Sequence, residues 1–545
     1  MSLSLRELDT FSGRRGPLLL IIMDGMGIGR QDETNAVYLA NTPNLDRLFN
    51  ADLFCQLQAH GTAVGLPTDK DMGNSEVGHN AMGAGRVVDQ GAKLVNKAIK
   101  TGKIFESKHW ETIVQRAKQG GTVHFLGLLS DGNVHSHIDH LYSLIDKCAE
   151  LQLKRVRVHA LLDGRDVDER SALRYVIPTE KKLAEISKTY GLDYRIASGG
   201  GRMKITMDRY GADWDMVKRG WETHVLGKGR PFHSAEEAIK TFYKEHPDLI
   251  DQYIDPFVIV DEKGNPVGPI KDGDSVVCFN FRGDRVIEIS RAFTEKDFHE
   301  FDRGPLPDIF YAGMMEYDGD KHIPPNYLVD PPVIERTISE YLCAEGVKSF
   351  AIAETQKFGH VTYFWNGNRS GYIDERLETY VEIPSERIEF DKRPEMKAYE
   401  VKDGTIKLLR DGSYRFGRVN FANGDMVGHT GNLKASIVAV ETVDRCVGEL
   451  IKVIEKLEGI AIITADHGNV DEMFTYDKDG NKIPKTSHTL NPVPFVIYDP
   501  GYKGEYYMAS LNKRGLSNIA ATILNLLGYY KVEDYDDSLI GFRCC

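Results

Sequence analysis

The sequence predicts an α/β protein of two domains, each built on a mostly parallel β-sheet. Short apolar runs recur along the chain, and each ends in glycine or polar residues before a helix-like stretch. The length of 545 residues is several times the ~100–150 residues of a usual domain. Continuous apolar strands that alternate with helices are typical of parallel sheets covered on both faces.

Six apolar runs are the predicted strands. In chain order they are Leu18–Met23, Val123–Leu129, Val156–Leu162, Ser275–Phe281, Ser349–Ala353 and Gly459–Thr464. In open parallel sheets, ligands bind beyond the carboxyl ends of the strands. Because charged residues follow nearly every run, we expect a functional site there. The polar stretch Asp477 to Lys485 predicts an exposed loop or hairpin, with Asp479-Gly480 as its turn.

Two breaks in the pattern predict the domain borders. One follows Gly83-Ala84-Gly85, and the other is the proline-rich stretch from His322 to Pro332, which favours neither helix nor strand. The predicted domains are therefore 1–90 with 325–545, which is discontinuous, and an inserted domain over 91–324. We expect the inserted domain to close over a ligand, with hinges near 90 and 325.

Composition excludes several classes of function. The net charge of −13 argues against a nucleic-acid partner, and no apolar run approaches the ~20 residues that span a membrane. Seven scattered cysteines without paired spacing fit a reducing compartment, so we expect a cytoplasmic protein. An anionic substrate would need a local cluster of arginines to overcome the global charge.

Asp and His residues at the predicted strand ends indicate a metal site. Asp425 and His429 lie four residues apart on one helical turn, and Asp466-His467 follows an apolar strand. His488 lies in a later polar loop, and Asp24 directly follows the first strand. These ligand types suit Mn, Zn or similar divalent ions.

The glycines after Asp24 resemble a dinucleotide fingerprint only superficially. The pattern G-x-G-x-x-G fails because residue 30 is Arg30. A carboxylate directly at the strand end would also repel a pyrophosphate. The metal interpretation of Asp24 is therefore preferred.

Ser75 lies among glycines in Gly73-Asn74-Ser75-Glu76-Val77-Gly78-His79. A helix that begins here would offer free N–H groups to a phosphate. The alternative is a plain N-cap, which is the commoner role of a serine at a helix start.

Together these motifs resemble the alkaline phosphatase superfamily, and within it the cofactor-independent phosphoglycerate mutases. The resemblance covers nearly the whole chain. It implies an alkaline-phosphatase-like domain that carries an inserted substrate-binding domain. It also implies Ser75 as the nucleophile and two divalent ions, with Mn²⁺ preferred over Co²⁺, Mg²⁺ or Zn²⁺. By the resemblance one ion is held by Asp425, His429 and His488, and the other by Asp24, Ser75, Asp466 and His467.

The resemblance also implies a pocket for a small phosphorylated acid, with no need for 2,3-bisphosphoglycerate. Arginine recognises phosphate and carboxylate in a bidentate manner, which meets the requirement set by the net charge. Asp166 is the expected acid or base for the substrate hydroxyls, and a monomer is expected. The implied substrate contacts are His135, Arg165, Asp166, Arg202, Arg209, Arg282 and Arg285, with Lys357 reaching in from the other domain.

Three alternatives stay open. His135-Ser136-His137-Ile138-Asp139-His140 matches H-x-H-x-D-H, the zinc motif of metallo-β-lactamase-fold hydrolases, although matching downstream ligands are not found. A phosphomonoesterase or a phosphopentomutase would share the metals and the serine. A non-catalytic metal- or phosphate-binding protein would keep its function without Ser75.

Overall fold

The computed structural model describes residues 3–66, 68–208, 213–318, 322–330, 332, 334–386, 388–476 and 480–543. The chain divides into two compact units. The first comprises Met1–Gln90 and Pro332–Cys545, and the second is Gly91–Pro331. Among the described residues, helices are too short or too polar to cross a bilayer.

The first unit begins with a central strand and ends its N-terminal part with a buried helix. Its elements here are β1 (Leu18–Met23), α1 (Ala36–Leu39), α2 (Pro43–Phe49), β2 (Phe54–Leu57) and α3 (Ser75–Ala84).

The second unit alternates helices and strands. Its elements are α4 (Gly91–Thr101), α5 (Lys108–Lys118), β3 (Val123–Leu128), α6 (Ile138–Glu150), β4 (Arg155–Leu162), α7 (Ala172–Tyr190), β5 (Asp193–Gly201), α8 (Trp214–His224), β6 (Arg230–Phe232), α9 (Ala235–Glu245), β7 (Phe257–Ile259), β8 (Ser275–Cys278), α10 (Ile287–Thr294) and β9 (Phe310–Gly313).

The chain then completes the first unit. The remaining elements are α11 (Ile338–Ala344), β10 (Ser349–Glu354), α12 (Thr355–Gly359), β11 (Glu378–Ile383), α13 (Ala398–Asp411), β12 (Phe416–Phe421), α14 (Asn423–Gly428), α15 (Leu433–Lys456), β13 (Ile460–Thr464), β14 (Phe474–Tyr476), β15 (Lys482–Pro484), β16 (Val493–Tyr498), β17 (Tyr506–Met508), α16 (Asn518–Leu526) and β18 (Ile540–Phe542).

The main sheet of the first unit has the strand order β11-β10-β12-β1-β13-β16-β2. The strands from β11 to β13 are parallel. At one edge β16 pairs antiparallel with β13, and β2 pairs antiparallel with β16, so β2 runs in the direction of the parallel strands. All six residues of β1 are buried, which explains its uninterrupted apolar sequence. Because β10, β12, β1 and β13 are parallel neighbours, their carboxyl ends meet at one edge.

The sheet of the second unit has the strand order β6-β7-β5-β4-β3-β8-β9. The four strands β5, β4, β3 and β8 are parallel neighbours, and β7 runs antiparallel to β5. The prediction of an α/β protein with mostly parallel sheets is therefore confirmed. The polar stretch near 480 joins the antiparallel strands β14 and β15, although Asp479 of its predicted turn lies outside the described residues.

Two predicted limits differ from the structure by more than one residue. The strand expected over Ser275–Phe281 ends at Cys278, because the Phe281 N–H donates to the His135 carbonyl instead of a neighbouring strand. The second domain junction lies at Pro332 instead of 325. Leu328 and Val329 pack into the core of the second unit, and their N–H groups donate to β9 and the residue after it, which keeps this segment there.

Candidate active site with two metal-binding groups

Four adjacent strand ends position the site of the first unit. Asp24 directly follows β1, and Asp466 lies two residues beyond β13. Asp425 lies on α14, the short helix after β12, and Lys357 on α12, which directly follows β10. All four side chains are buried, so the topology gathers charges that are far apart in sequence.

Asp425, His429 and His488 form the first group of potential metal ligands. The Nε2 atoms of both histidines lie 3.1 Å from Asp425 Oδ1 and 3.2 Å from one another. The Nδ1 of His429 faces the Thr486 carbonyl at 2.7 Å, and that of His488 faces the Gly73 carbonyl at 2.7 Å. A carbonyl oxygen only accepts, so each Nδ1 carries a proton, which leaves Nε2 as the atom whose lone pair can face a metal ion.

Asp24, Asp466 and His467 form the second group. His467 Nε2 lies 3.5 Å from Asp24 Oδ1 and 3.7 Å from Asp466 Oδ2. Asp466 Oδ2 is buried without a hydrogen-bond partner. Burial, reinforced by the charge of Asp466, outweighs the opposing charge of Lys357 and raises the pKa of Asp24 to about 6, as expected where buried carboxylates outnumber the cations beside them.

Ser75 is the first residue of α3 and lies beside the second group. Its Oγ is 3.0 Å from His467 Nε2 and 3.2 Å from Asp24 Oδ1. The N-cap is Asn74, whose side chain accepts the Val77 N–H. Ser75 is therefore not the capping residue, and its hydroxyl faces the buried carboxylates instead.

Lys357 joins the two groups. Its Nζ donates to Ser75 Oγ at 2.7 Å and to Asp425 Oδ2 at 2.7 Å, and it lies 2.8 Å from Asp24 Oδ1. Burial alone would lower the pKa of the Lys357 ammonium, but the surrounding aspartates outweigh it and raise that pKa. Lys357 is thus a permanent cation next to the serine hydroxyl.

This donor set fits divalent metal ions. Three buried carboxylates surround a single ammonium group, so negative charge is in excess where burial of charge is costly. In the first group, two histidine lone pairs and a carboxylate oxygen converge on one point, an arrangement that is repulsive without a cation. Both histidines are also oriented from behind by carbonyls, as metal-binding histidines usually are.

Supporting residues were missed by the sequence reasoning. Asn420 donates to Asp24 Oδ2 at 2.8 Å, and Asn469 donates to Asp425 Oδ1 at 2.9 Å. His79 Nδ1 contacts the Ser75 carbonyl at 2.8 Å. The available signal for Asn420 was a polar residue inside a fully buried strand, Phe416–Phe421. Asn469 and His79 lay within the recognised motifs but were given no role.

The second unit gathers most of the predicted substrate residues at the ends of β3, β4, β5 and β8. Arg202 is buried and donates from one guanidinium nitrogen to Asp163 Oδ1 at 2.7 Å and to Asp166 Oδ2 at 2.5 Å. Burial would raise the pKa of Asp166, but Arg202 and His135 outweigh it and hold that pKa below its ordinary value. Arg165 is exposed beside Asp166.

His135 connects this cluster to the end of β8. Its Nε2 lies 3.9 Å from Asp166 Oδ2, and its Nδ1 lies 3.3 Å from Asp284 Oδ1. Arg282 Nε is 3.3 Å from the same Asp284 oxygen, and Arg285 donates to the Met207 carbonyl at 3.1 Å. The predicted contact Arg209 lies outside the described residues.

The zinc interpretation of the H-x-H-x-D-H motif finds no support in the geometry. His135 faces Asp166 and Asp284, whereas His140 Nε2 is bonded to Asn96 Oδ1 at 2.7 Å. His137 caps α6 by accepting the Asp139 N–H. The metal-binding groups found among the described residues contain none of the three.

Comparisons with known proteins place these observations in context. Residues 16–531 match the model of the metalloenzyme superfamily. The chain is 54% identical over 542 residues to a probable 2,3-bisphosphoglycerate-independent phosphoglycerate mutase of Leptospira interrogans, covering 97% of this chain and 98% of the relative. It is 51% identical over 551 residues to the 2,3-bisphosphoglycerate-independent phosphoglycerate mutase of Trypanosoma brucei brucei, covering 99% and 100%.

A solved structure shares the fold. The phosphoglycerate mutase of Leishmania mexicana, crystallised at low cobalt concentration, superposes with a TM-score of 0.84. The two sequences are 50% identical, and the comparison covers 99% of this chain and 100% of the other. The likeness therefore spans both units.

Proposed function

The chain belongs to the 2,3-bisphosphoglycerate-independent phosphoglycerate mutases of the metalloenzyme superfamily, and we propose that it interconverts 3-phosphoglycerate and 2-phosphoglycerate, a step of glycolysis and gluconeogenesis. The observation that carries the proposal is Ser75, whose hydroxyl is held by Lys357 between two groups of metal ligands. A capping or structural serine needs neither neighbour.

Two divalent ions complete the site in this proposal. Asp425, His429 and His488 would hold one, and Asp24, Ser75, Asp466 and His467 the other. When bound, such ions favour the serine alkoxide and neutralise charge on a transferring phosphoryl group. Three imidazole ligands favour Mn²⁺ or Co²⁺ over Mg²⁺, and Mn²⁺ is our proposal for the resident metal.

The reaction is a double transfer. The Ser75 Oγ–P bond forms as the ester O–P bond of 3-phosphoglycerate breaks, which leaves phosphoserine and glycerate. Glycerate then turns within the site, and its 2-hydroxyl takes the phosphoryl group back from Ser75. Lys357, which already donates to Ser75 Oγ, stabilises negative charge on that oxygen as the bond to phosphorus forms and breaks.

The second unit would hold the substrate through both steps. Arg165, Arg202, Arg209, Arg282 and Arg285 are the proposed partners of its carboxylate and phosphate, together with His135. Asp166 is ionised at neutral pH and is proposed to exchange protons with the glycerate hydroxyls. Firm retention of glycerate is essential, because water at ~55 M competes for the phosphoserine and only an oriented hydroxyl reaches ~10⁵–10⁸ M in effective concentration.

We also propose that the enzyme acts as a cytoplasmic monomer. The compartment is supported by the described cysteines, which are free and of which four of the five are buried, as is usual in a reducing environment.

The test is conversion of 3-phosphoglycerate by purified protein, coupled to enolase, with no 2,3-bisphosphoglycerate added. We expect activity with Mn²⁺, none after chelation, and a loss of at least about 10³-fold in Ser75→Ala, which removes the nucleophile. Release of inorganic phosphate instead of 2-phosphoglycerate would make the protein a phosphatase. Full activity of a folded Ser75→Ala variant would refute the phosphoserine mechanism.

A further inference from the structure

A buried chain of polar side chains crosses the sheet of the second unit. It lies on the sheet face covered by α8 and α10, among apolar side chains such as Leu126, Val217 and Ile289. We call it the histidine chain. Its members, in order, are Asp274, His124, His159, Ser198, His224 and Thr206, all of them buried.

Continuous hydrogen bonds link the members strand by strand. Asp274 Oδ2, just before β8, lies 3.1 Å from His124 Nε2, and His124 Nδ1 lies 2.9 Å from His159 Nε2. His159 Nδ1 lies 2.7 Å from Ser198 Oγ, which is 2.8 Å from His224 Nδ1. The last contact joins His224 Nε2 to Thr206 Oγ1 at 3.0 Å.

The Asp274 carboxylate gives the histidine chain one direction. Its oxygens accept the Thr122 and Lys271 N–H groups, so His124 must donate to it from Nε2. His124 Nδ1 then accepts from His159, His159 accepts from Ser198, Ser198 accepts from His224, and His224 accepts from Thr206. Burial keeps the imidazoles neutral by lowering their pKa values, that of His224 to about 3.

The histidine chain ends at a strained residue of the substrate-binding cluster. Thr206 has φ of +70°, a rare conformation for a β-branched residue that persists only where its surroundings enforce it. Its N–H donates to the Met216 carbonyl at 3.0 Å. Helix α8 approaches it through Gly220, where an added Cβ would come within 2.2 Å of Thr206 Oγ1.

Thr206 lies between two of the proposed substrate-binding arginines. Arg202 begins the same tight segment, whose Lys204 and Ile205 N–H groups both donate to the Gly201 carbonyl. On the other side, the Met207 carbonyl accepts from Arg285 at 3.1 Å. A change in the Thr206 conformation would therefore move the backbone that places both guanidinium groups.

We propose that the histidine chain is a positioning device, which fixes the segment 202–208 so that Arg202 and Arg285 are oriented for the substrate. This inference rests on the proposed function. Stability alone does not account for the histidine chain, because apolar side chains would fill this face at a lower cost in free energy. Glycine would also suit φ of +70° better than threonine does. The hydrogen bonds instead make the orientation of the Thr206 hydroxyl depend on the Asp274 carboxylate.

The decisive variant is Asp274→Asn, at the end of the histidine chain opposite Thr206 and the substrate-binding arginines. The amide has one acceptor oxygen where the carboxylate has two, so it cannot accept from Thr122, Lys271 and His124 together. The histidine chain then loses its fixed direction, and we expect KM for 3-phosphoglycerate to rise about ten- to a hundredfold, the usual scale of a small misplacement. We expect kcat to change less than about threefold, because Ser75 and its metal ligands are in the other unit. Ser198→Ala, which interrupts the histidine chain, should raise KM by a similar factor and leave kcat similarly little changed.

Two comparisons distinguish a positioning role of the histidine chain from a general disturbance of the second unit. Thr206→Val should raise KM in the same way, whereas Thr206→Ser, which keeps the hydroxyl, should have the wild-type KM. Glu180→Gln is the matched control: this carboxylate of the same unit also accepts two backbone N–H groups but belongs to no histidine network, so its KM should stay at the wild-type value. Wild-type KM in folded Asp274→Asn and Ser198→Ala would overturn the proposal.

A second measurement does not depend on activity. Spectra of the full-length wild-type protein labelled with ¹⁵N-histidine should show neutral rings, with the proton on Nε2 of His124 and His159 and on Nδ1 of His224. The opposite tautomers would overturn the inference. Failure of the proposed function is distinguishable, because it appears as absent wild-type turnover; the affinity of each variant for 3-phosphoglycerate by calorimetry would then replace KM.

Discussion

The aspartates of the two metal-binding groups are held by asparagine side chains. Asn420 donates to Asp24, and Asn469 donates to Asp425. Asn420 contacts the Asp24 oxygen that does not face His467, and Asn469 contacts the Asp425 oxygen that faces both histidines. Each bond fixes the rotation of the carboxylate. Side chains that orient a metal ligand in this way usually contribute to metal affinity, although they do not touch the ion.

We therefore expect Asn420→Ala and Asn469→Ala to weaken metal binding about 10- to 100-fold, each at the ion whose aspartate it holds. Titration of the metal-free protein with Mn²⁺ by calorimetry would measure both sites. Asn423→Ala is the control, since this buried neighbour donates only to the carbonyls of Pro394 and Glu395. Equal affinities in all three variants would show that the asparagines do not orient the ligands.

Buried neutral histidines make stability depend on pH. Burial lowers the pKa of His140 to about 3, whereas an unfolded histidine titrates near ~6.5. Below that pH the unfolded chain binds a proton that the folded chain does not, so this contribution is complete above pH ~6.5 and is lost as the pH falls.

We expect His140→Gln to reduce this acid sensitivity. Between pH 7.5 and 5.5 the wild type should lose roughly 1 kcal/mol more stability than the variant, the linkage value for one histidine. Urea unfolding at both pH values, followed by a signal from the second unit, measures the difference. The result would contradict the assignment of a neutral His140 if both proteins lost the same stability.

At the scale of elements, helix α3 is fixed by close backbone packing. A Cβ on Gly83 would lie 1.9 Å from the Trp365 carbonyl oxygen, and Asn80 donates to the Phe364 carbonyl at 2.6 Å. The absence of a side chain at residue 83 thus lets α3, which begins with Ser75, lie against the π-helical turn His360–Phe364.

Gly83→Ala should therefore destabilise the first unit by about 1–3 kcal/mol, the usual effect of overpacking, and should lower kcat by displacing Ser75. Gly359→Ala is the comparison, because this helical glycine has φ of −60° and open space around its Cβ position; alanine there should be neutral or stabilising by up to ~1 kcal/mol. Thermal unfolding and turnover of both variants test the contrast. Similar behaviour of the two would show that the contact at Trp365 does not fix α3.

Strand ends explain how much of the site the sequence revealed. Asp24 and Asp466 were predictable because each closely follows a continuous apolar strand, and parallel strands share one edge for their carboxyl ends. The same reasoning applies to Arg282, which follows the run Ser275–Phe281, whereas Arg202 follows β5, which is not among the predicted runs, and was named by the family resemblance. Lys357 also follows a strand, but its role came from the family resemblance, since nothing local indicates that its ammonium group lies beside Ser75.

Residues inside strands escaped prediction for a physical reason. Asn420 and His124 are polar residues inside buried strands, and their partners depend on which strands are neighbours. The order β8-β3-β4-β5 that builds the histidine chain is a property of the folded sheet and is absent from local sequence patterns. The boundary at Pro332 likewise depends on how residues 328 and 329 pair with β9.

At the scale of the whole molecule, the two kinds of chemistry are separated between the units. Every proposed metal ligand belongs to residues 1–90 or 332–545, and the proposed substrate-binding arginines belong to residues 91–331. A ligand that binds only the folded state stabilises the part it binds, by ~2.7 kcal/mol at a hundredfold excess over its Kd. Metal removal should thus act on one unit alone.

Hydrogen exchange with and without a chelator tests this division. In the chelated protein we expect faster exchange at the ends of β1, β12 and β13 and at the start of α3, because the excess of buried carboxylates loses its counter-charge. Exchange in β3, β4 and β5 should not change, which makes the second unit an internal control. Ser75→Ala, which keeps both ligand trios, should show the same chelator response as the wild type. Equal acceleration in both units would mean that the metals stabilise the chain as one cooperative body, and the separation of metal chemistry from substrate binding would then fail.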